Sequence, residues 1–310
     1  MRIIVGNTGF VGSNIAKNMS FDGLFNSKNI SDAYSTKPDL CVFSGIRAEK
    51  FFANKNPEND LEKINEAISN IKLINPKKLV LISTIDVLKD PDNVDESVIP
   101  DSDGLEDYGK NRLYFENRCR EIVNDCHIIR LPGLFGINLK KNFIYDILHR
   151  IPIVLNKTLF EELTDKNNNI SLFYELNENG FYIRKSDSDQ RELFDIMKQV
   201  GFSSLNFTDS RSKYQFYNLD YLAGHILKII ENDIPLMHMA VEPVSADEIY
   251  KALTGEEFEN VFARKPAGYN FKTMYSELFG GENGYLFSKQ CVTDDIVEYV
   301  RDNRNEFSSI

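Results

Sequence analysis

The first twelve residues constrain the fold of this chain more than any other stretch. An apolar run, Ile3–Val5, predicts a buried strand, and residues 13–19 have the pattern of a helix. Between them lie three glycines, each separated from the next by two residues: Gly6, Gly9 and Gly12. A strand, a glycine turn and a helix form the arrangement in which N–H groups at a helix N-terminus receive a pyrophosphate. The stretch therefore predicts a nucleotide-binding loop, the alternative being a turn with a purely structural role.

Each glycine of this loop has a physical reason for its place. Gly6 allows a tight turn, Gly9 lets the backbone approach a phosphate without a Cβ atom, and Gly12 lets the helix pack close to the strand. We expect the whole loop to contact a dinucleotide, through Gly6, Asn7, Thr8, Gly9, Phe10, Val11 and Gly12.

Composition narrows the possible partners and the compartment. The chain has 310 residues, enough for one large domain or two smaller ones, and a net charge of −11 without any basic block. The negative net charge argues against nucleic acid and anionic membranes as partners, although backbone dipoles still allow an anionic cofactor to bind. The four cysteines form no C-x-x-C pair and the four histidines are scattered. We therefore expect free thiols in a reducing cytoplasm and no metal site.

Targeting and membrane segments are not expected either. The first predicted strand begins so close to residue 1 that it leaves no room for a signal peptide. No apolar run reaches the length that spans a membrane.

Strand and helix patterns alternate through the first part of the chain. Residues 39–45, 78–84 and 126–131 predict buried strands, and residues 58–75 and 110–123 predict amphipathic helices. Alternation of this kind predicts a parallel sheet that helices cover on both faces, so we expect an α/β, doubly wound, Rossmann-like fold.

The end of the predicted second strand bears on the choice of cofactor. Enzymes that prefer NAD usually place an acidic residue there to bind the ribose 2′-hydroxyl, but this chain has Asn26, Ser27 and Lys28. Ser27 and Lys28 could hold a 2′-phosphate, which favours NADP. A solvated loop end explains the same residues, so NAD and NADP both stay open.

Beyond residue 137 the pattern changes. Residues 142–155 predict a helix, and residues 156–190 predict an irregular or α+β region that forms a lid or a substrate surface. A clear amphipathic helix returns at 221–230, and a strand is predicted at 237–243. We therefore expect a dinucleotide-binding domain and a smaller C-terminal substrate-binding domain, the first formed by residues 1–137 and about 205–242, the second by 138–204 and 243–310.

Two further motifs carry candidate chemistry. The strand that ends at Ser83 and Thr84 places hydroxyl groups at the carboxyl edge of the sheet, with Asp86 close behind. Tyr108 follows 24 residues after Thr84, and Arg112 lies one helical turn after Tyr108. Because a nearby cation favours a phenolate, such a tyrosine could act as a base nearer to neutral pH.

These motifs together resemble the extended short-chain dehydrogenase/reductase family, which comprises NAD(P)-dependent sugar-nucleotide epimerases, dehydratases and reductases. The resemblance rests on five stretches: residues 6–12, 43–47 with Asn65, 82–86, Tyr108 with its cation, and 130–136. It is good over about residues 1–137 and loose beyond them. It implies a nucleotide-sugar substrate, NAD or NADP as cofactor, and a homodimer.

The resemblance also implies roles for individual residues. Tyr108 would exchange a proton with a sugar hydroxyl while hydride passes between that carbon and the nicotinamide, and Thr84 would bind the same oxygen. The residue one turn after Tyr108, here Arg112, would hold the nicotinamide ribose. Further cofactor contacts are implied for Ser44, Gly45, Arg47, Asn65, Ser83 and Pro132. Substrate contacts are implied for Arg47 and Gly133, and Arg211 is a candidate for a diphosphate, the alternative being a solvated surface side chain.

The sequence departs from the family pattern at three places. Arg112 stands where the family has lysine, and arginine is bulkier, planar and always charged. Ile85 and Asp86 replace the Asp-Glu pair of the dehydratases, which disfavours dehydration and leaves epimerisation or ketose reduction. Asp86 is then either an acid/base group or a hydrogen-bonding residue. Gly133 replaces a frequent substrate-binding asparagine. A non-catalytic dinucleotide-binding sensor or scaffold is the alternative function.

Overall fold

A computed structural model describes residues 1–303, in which strands and helices alternate through the first half. The strands are β1 (Arg2–Val5), β2 (Gly23–Phe25), β3 (Leu40–Phe43), β4 (Lys78–Thr84), β5 (Asp125–Leu131), β6 (Gly133–Phe135), β7 (Val154–Leu155), β8 (Tyr174–Leu176), β9 (Tyr182–Arg184), β10 (Lys213–Tyr214), β11 (Phe216–Asn218), β12 (Leu236–His238) and β13 (Val244–Ser245). The α-helices are α1 (Phe10–Asn18), α2 (Lys50–Lys55), α3 (Pro57–Ile74), α4 (Asp107–Ile122), α5 (Phe143–His149), α6 (Lys157–Lys166), α7 (Gln190–Gln199), α8 (Leu222–Glu231), α9 (Ala246–Thr254) and α10 (Lys289–Asp302).

The central sheet has six parallel strands in the order β12-β5-β4-β3-β1-β2. The chain runs from β1 to β2 on one side and then crosses to β3 on the other side, so the strand order reverses beside β1. In open α/β sheets a crevice forms at such a switch point, at the carboxyl ends of the strands. The predicted α/β class with a doubly wound, Rossmann-like sheet is confirmed.

Alternating side chains of the sheet build the core on the face that α3 and α4 cover. Ile3, Cys41 and Leu79 lie on this face with no exposed surface, next to Ile64 and Ile71 of α3. Within each strand the residues on this face recur every two positions, and those of α3 recur every three or four, as the geometry of each element requires.

Contacts divide the chain into two compact units. The first contains Met1–Asn138, Tyr214–Val244 and Gly268–Val292, and therefore the whole central sheet. The second contains Leu139–Lys213, Ser245–Ala267 and the described residues from 293 onward. Within the second unit, β7, β9 and β8 form an antiparallel sheet.

The boundaries of these units differ from the predicted domain limits in two main segments. Residues 205–213 lie in the second unit, whereas the pattern assigned them to the dinucleotide-binding domain. Gly268–Val292 lies in the first unit, whereas the pattern assigned it to the C-terminal domain. Phe271 explains the difference, because it is fully buried and its N–H donates to Gln215 Oε1 at 3.0 Å. Residues 304–310 of the predicted domain lie outside the described residues. The dinucleotide-binding and substrate-binding roles of the two units stay predictions.

Three predicted elements differ in length from the observed ones. The predicted helix at 142–155 ends at His149, because Arg150 takes a left-handed conformation with φ of 58°, and β7 follows. The predicted strand at 237–243 is shorter and runs over Leu236–His238. Helix α4 begins at Asp107, so that Tyr108 lies inside the helix and not before it. Within residues 1–303, no helix combines the length and the apolar character needed to cross a bilayer.

Candidate active site

The glycine loop after β1 is packed too closely for side chains at two of its three glycines. Gly6 has φ of +93°, and a Cβ atom on it would lie 2.6 Å from the backbone of Ser44 at the end of β3. A Cβ atom on Gly12 would lie 2.1 Å from the carbonyl oxygen of Gly6. At Gly9 the same test gives 3.3 Å, so this glycine is needed less for packing within the loop. The loop is therefore built around Gly6 and Gly12 at the switch point of the sheet.

The start of α1 offers N–H groups to an anion. Gly9 is the N-cap and supplies no side chain, and the first turn contains no acidic residue. The first intrahelical bond runs from the Ser13 N–H to the Gly9 oxygen at 2.9 Å, so the N–H groups of Phe10, Val11 and Gly12 precede it. Because these groups carry the positive end of the helix dipole, the loop has the shape and the donors that a pyrophosphate requires.

Three of the remaining backbone donors of the loop, those of Gly6, Asn7 and Gly9, are already used. The N–H groups of Gly6 and Asn7 both donate to the Phe25 oxygen, at 2.7 and 3.3 Å. The Gly9 N–H donates to the Gly6 oxygen at 3.0 Å, and Thr8 is exposed. The anion-binding capacity of the loop therefore lies at the start of α1.

The turn after β2 carries the residues predicted to decide between NAD and NADP. Asn26 Oδ1 accepts from the Lys28 N–H at 3.0 Å, and the Asn26 N–H donates to Asn29 Oδ1 at 2.8 Å. Ser27 and Lys28 are exposed at the tip of this turn. The structure thus presents a hydroxyl and an ammonium group next to the glycine loop, and their role in cofactor choice stays a prediction.

Gly109 of α4, a glycine outside the loop that the sequence analysis did not single out, brings the predicted catalytic residues together. A Cβ atom on Gly109 of α4 would lie 2.3 Å from the Asp86 carbonyl oxygen, so only glycine lets α4 approach the segment after β4 this closely. As a result Tyr108, which is 4% exposed, lies near Thr84, whose hydroxyl group acts to lower the pKa of the phenol. Glycine directly after a tyrosine at a helix start is the signal that could have indicated this contact.

Arg112 is held by α3 instead of extending towards a ligand. Its terminal nitrogens donate to the two carboxylate oxygens of Asp60 at 2.9 and 3.0 Å, and one of them also donates to the Arg47 oxygen at 3.0 Å. The guanidinium carbon lies 4.4 Å from the centre of the Tyr108 ring. Arg112 is therefore a buried, ion-paired group whose guanidinium lies against the ring of Tyr108.

The phenol of Tyr108 is less acidic than the sequence analysis expected. Burial raises its pKa, and the negative charge of Asp86 raises it further. The Arg112 guanidinium and the Thr84 hydroxyl lower the pKa without cancelling the effect of burial. The expectation that Tyr108 could act as a base nearer to neutral pH counted the cation and left out burial, which shifts the pKa in the opposite direction.

Asp86 is the centre of a small polar cluster. Its N–H donates to Thr84 Oγ1 at 3.2 Å, and its Oδ1 accepts from Lys50 Nζ at 2.9 Å. Lys50 also lies 3.3 Å from Glu106 Oε2. The side chain of Tyr269 is half-buried near this cluster, and burial together with the Asp86 charge raises its pKa. Lys50 escaped the sequence analysis because no motif surrounds it.

Other predicted cofactor residues are more dispersed. Ser44 Oγ donates to the Val5 oxygen at 3.0 Å, and Gly45 is exposed beside it. Ser83 Oγ donates to Glu116 Oε1 at 2.6 Å. Asn65 is exposed on α3 and accepts from the Tyr114 hydroxyl at 3.3 Å.

The predicted substrate residues have structural partners of their own. Arg47 is exposed near the end of β3, and its carbonyl oxygen accepts from Arg112. Pro132 links β5 to β6, and a Cβ atom on Gly133 of β6 would lie 2.9 Å from the ring of Phe216. In the second unit, Arg211 is tied to the carboxylate of Asp209 by two nitrogens, at 2.9 and 2.7 Å. Their contacts to a substrate stay predictions.

One group of acids and histidine within residues 1–303 has metal-ligand spacing, at the amino-terminal edge of the sheet. Ligand atoms of Asp125, His127 and Asp233 all lie within 4.8 Å of one another. Lys78 Nζ is 2.6 Å from the Asp125 carboxylate and 3.1 Å from His127 Nε2. The ammonium group thus supplies the positive charge that a metal would bring.

Comparison with known proteins is informative at the level of the fold. No protein-family description matches the sequence, and no curated protein matches it. Solved structures do match. A dTDP-4-dehydrorhamnose reductase from Clostridium acetobutylicum is 14% identical, with a TM-score of 0.63 over 98% of this chain and 100% of that one. The corresponding enzyme from Bacillus anthracis, solved in complex with NADP, is 17% identical, with a TM-score of 0.61 over 97% and 98%.

A UDP-glucose 4-epimerase from Thermotoga maritima, solved with UDP-glucose, is 14% identical, with a TM-score of 0.62 over 98% of this chain and 100% of that one. These proteins are sugar-nucleotide reductases and epimerases, the enzymes of the extended short-chain dehydrogenase/reductase family. The chain has the fold of these enzymes over nearly its whole length. The resemblance seen in the sequence motifs is confirmed as a resemblance of fold.

Proposed function

We propose that the chain is an NAD(P)-dependent epimerase or reductase of a nucleotide-activated sugar, in which Tyr108 exchanges a proton with a sugar hydroxyl. One observation carries the proposal. The uncapped start of α1 and the Thr84–Tyr108 pair lie at the carboxyl ends of β1 and β4, with only β3 between them. β1 and β4 are therefore two inter-strand spacings apart, about 10 Å, which is a distance that a dinucleotide can bridge.

The chemistry follows from the residues at these two places. The N–H groups at the start of α1 would bind the pyrophosphate, and Ser27 and Lys28 would reach the adenosine ribose. A bound nicotinamide supplies or accepts the hydride. Thr84 would donate a hydrogen bond to the sugar oxygen, and the Tyr108 hydroxyl would give or take its proton. Because Tyr108 is protonated at neutral pH, it is better prepared to donate a proton, as the reduction of a ketose requires.

The proposal rests on comparisons as well. The Bacillus anthracis neighbour holds NADP and the Thermotoga maritima neighbour holds UDP-glucose. We propose that this chain uses the same classes of cofactor and substrate, NADP in preference to NAD, and that it works as a homodimer in the cytoplasm. Contacts of the sugar nucleotide with Arg47 and Gly133 belong to the same proposal.

Direct binding and turnover measurements test this function. Calorimetric titration of the purified chain with NADPH and NADH should show binding, with NADPH the tighter ligand. A panel of UDP-, dTDP- and GDP-sugars, including 4-keto sugars, should then reveal NADPH oxidation or a new epimer. Tyr108→Phe should lower turnover about 10²–10⁴-fold and leave nucleotide affinity unchanged. Failure of every dinucleotide to bind would overturn the proposal.

A second function is favoured by one specific observation, the Arg112–Asp60 ion pair. In the resemblance, the residue at position 112 holds the nicotinamide ribose, but here Asp60 uses both of its terminal nitrogens. A dinucleotide-binding sensor or scaffold would keep the glycine loop and dispense with this contact. Tight NADPH binding without turnover of any panel member, and with Tyr108→Phe indistinguishable from the parent, would identify the sensor.

A further inference from the structure

Lys50 contributes a positive charge to the cluster around Asp86 from outside the predicted site. It is the first residue of α2, and its Nζ lies 2.9 Å from Asp86 Oδ1. The same Nζ lies 3.3 Å from Glu106 Oε2, at the N-cap of α4. Among the residues that the structure describes, Lys50 is the only cation in an ion pair with Asp86.

The charge of Asp86 matters because of its position beside the reacting hydroxyls. Its second carboxylate oxygen is 3.4 Å from Thr84 Oγ1, and its negative charge opposes ionisation of Tyr108. Arg112 lies over the ring of Tyr108, but its charge is shared with Asp60. Lys50 is therefore the group that balances the carboxylate nearest to Thr84 and Tyr108.

Helix α2 holds Lys50 in register with Tyr108. Asn54 lies one turn after Lys50 and therefore on the same face of α2. Its Oδ1 accepts from the Tyr108 N–H at 2.8 Å, and its Nδ2 donates to Glu106 Oε2 at 2.9 Å. These bonds fasten one face of α2 to the start of α4, so the ammonium group and the phenol are placed by the same two helices.

We infer that Lys50 is a positioning residue of this site: by pairing with Asp86 it neutralises that carboxylate and keeps it directed towards α2, which leaves the Tyr108 hydroxyl able to release its proton. The inference rests on the proposed function for its catalytic meaning. Its physical content, a charge effect of Lys50 on Tyr108 through Asp86, holds with no ligand bound.

The groups that face Tyr108 define what must be controlled in a test. Arg112 faces it from α4, Thr84 and Asp86 from the end of β4, and Lys50 stands behind Asp86. Asp60 of α3 acts through Arg112, and Glu106 and the phenol of Tyr269 lie near Lys50. Burial alone would lower the pKa of Lys50, but Asp86, Tyr269 and Glu106 outweigh burial and raise it, so Lys50 carries a full charge at neutral pH.

The test is a titration of the phenol in the full-length chain without cofactor or substrate. Tyr108 is replaced by a ring-fluorinated tyrosine, whose more acidic phenol titrates within the stable pH range and reports its ionisation by fluorine NMR. Lys50→Met should raise the titration midpoint by about one pH unit or more, because it leaves Asp86 uncompensated. Lys50→Arg should restore the midpoint. In the Asp86→Asn background, Lys50→Met should have no effect.

A matched control separates this effect from a general loss of charge. Lys110→Met removes a positive charge from α4 itself, where Lys110 pairs with exposed Asp107, and should leave the midpoint unchanged. An unchanged midpoint in Lys50→Met overturns the inference, and so does a shift of equal size in the Asp86→Asn background. Because no nucleotide enters the experiment, failure of the proposed function shows only in the binding and turnover assays, and failure of this inference shows only in the titration.

Discussion

Arg112 and Asp60 form a two-point ion pair between α4 and α3, with N–O distances of 2.9 and 3.0 Å and with both side chains almost fully buried. The pair changes the meaning of the arginine that replaces the family lysine. A planar guanidinium can satisfy both carboxylate oxygens and the Arg47 carbonyl at once, which an ammonium group on a flexible chain does not reproduce. Arg112 and Asp60 are therefore one structural unit.

Arg112→Lys should consequently lower the stability of the protein. The lysine keeps the charge but loses at least one of the hydrogen bonds to Asp60, so we expect the free energy of unfolding to fall by about 1–3 kcal/mol. Urea denaturation measures this change. Arg118→Lys on the same helix, where Arg118 pairs with exposed Glu121, is the matched control and should stay within about 0.5 kcal/mol. A more stable Arg112→Lys variant would show that the pair is strained.

The glycine loop predicts a contrast between two helical glycines. Gly12→Ala should abolish detectable NADPH binding in calorimetry, because its Cβ atom would displace the Gly6 carbonyl, 2.1 Å away, and open the loop. Gly224→Ala, in α8, meets nothing within 4 Å and should stabilise the protein by about 0.5–1 kcal/mol through helix propensity. It should bind NADPH as the parent does. Equal binding by both variants would contradict the anion site at the start of α1.

The fold was predictable from the sequence where its determinants are local. Continuous apolar runs mark β1, β3 and β4 as buried strands, a period of three to four residues marks the buried face of α3, and glycine spacing marks the loop before α1. The pattern did not reveal the stop of α5, which depends on a left-handed residue, Arg150, that is not glycine. The short strands of the second unit lack the length that makes a period visible.

The candidate site was predictable only in part, for a different reason. Thr84 and Tyr108 belong to motifs that can be read along the chain. Asp60 pairs with a residue 52 positions away and Lys50 with one 36 positions away. No motif in the neighbouring sequence indicates either partner. Burial of Tyr108 likewise depends on the close approach of α4 at Gly109, so its effect on the pKa was missed.

A second buried ion pair, between Glu116 and Arg130, lies beneath Ser83. The two side chains are 0% and 1% exposed, and Arg130 binds the carboxylate through Nε and Nη2 at 3.0 and 2.7 Å. Arg130→Met should destabilise the protein by about 3–5 kcal/mol in urea denaturation, because it leaves the Glu116 charge buried without a partner.

The double variant Glu116→Leu/Arg130→Met distinguishes two contributions to the free energy of unfolding: the destabilisation caused by an unpaired buried charge, and the stabilisation that the intact ion pair provides. It should recover most of the lost stability, since no buried charge remains. Arg301→Met, which removes an exposed partner of Glu298, serves as the control and should change stability by less than about 0.5 kcal/mol. A double variant as unstable as Arg130→Met would mean that packing around Arg130, and not its charge, accounts for the loss.

His238 makes stability depend on pH below neutrality. It is fully buried, and burial together with the Arg130 charge lowers its pKa to about 4 from the ordinary 6.5. Over this pH range the unfolded chain therefore binds a proton at His238 that the folded chain does not bind. The contribution of His238 to the free energy of unfolding is complete above pH 6.5 and is lost as the pH falls towards 4. Between about pH 7.5 and about pH 5, the titration of this histidine alone should lower the free energy of unfolding by about 2 kcal/mol, which urea denaturation at both pH values would measure.

His238→Gln isolates this contribution. Glutamine keeps an acceptor for Arg130 and a donor for the Lys272 carbonyl, which His238 Nδ1 approaches at 3.1 Å, but it does not titrate. The loss of stability between the two pH values should therefore shrink by about 2 kcal/mol.

Asp146 acts in the opposite sense, because burial raises its pKa to about 7 and its ionisation destabilises the fold as the pH rises. Asp146→Asn should accordingly steepen the loss on acidification, and a change in the same direction as that of His238→Gln would contradict both assignments.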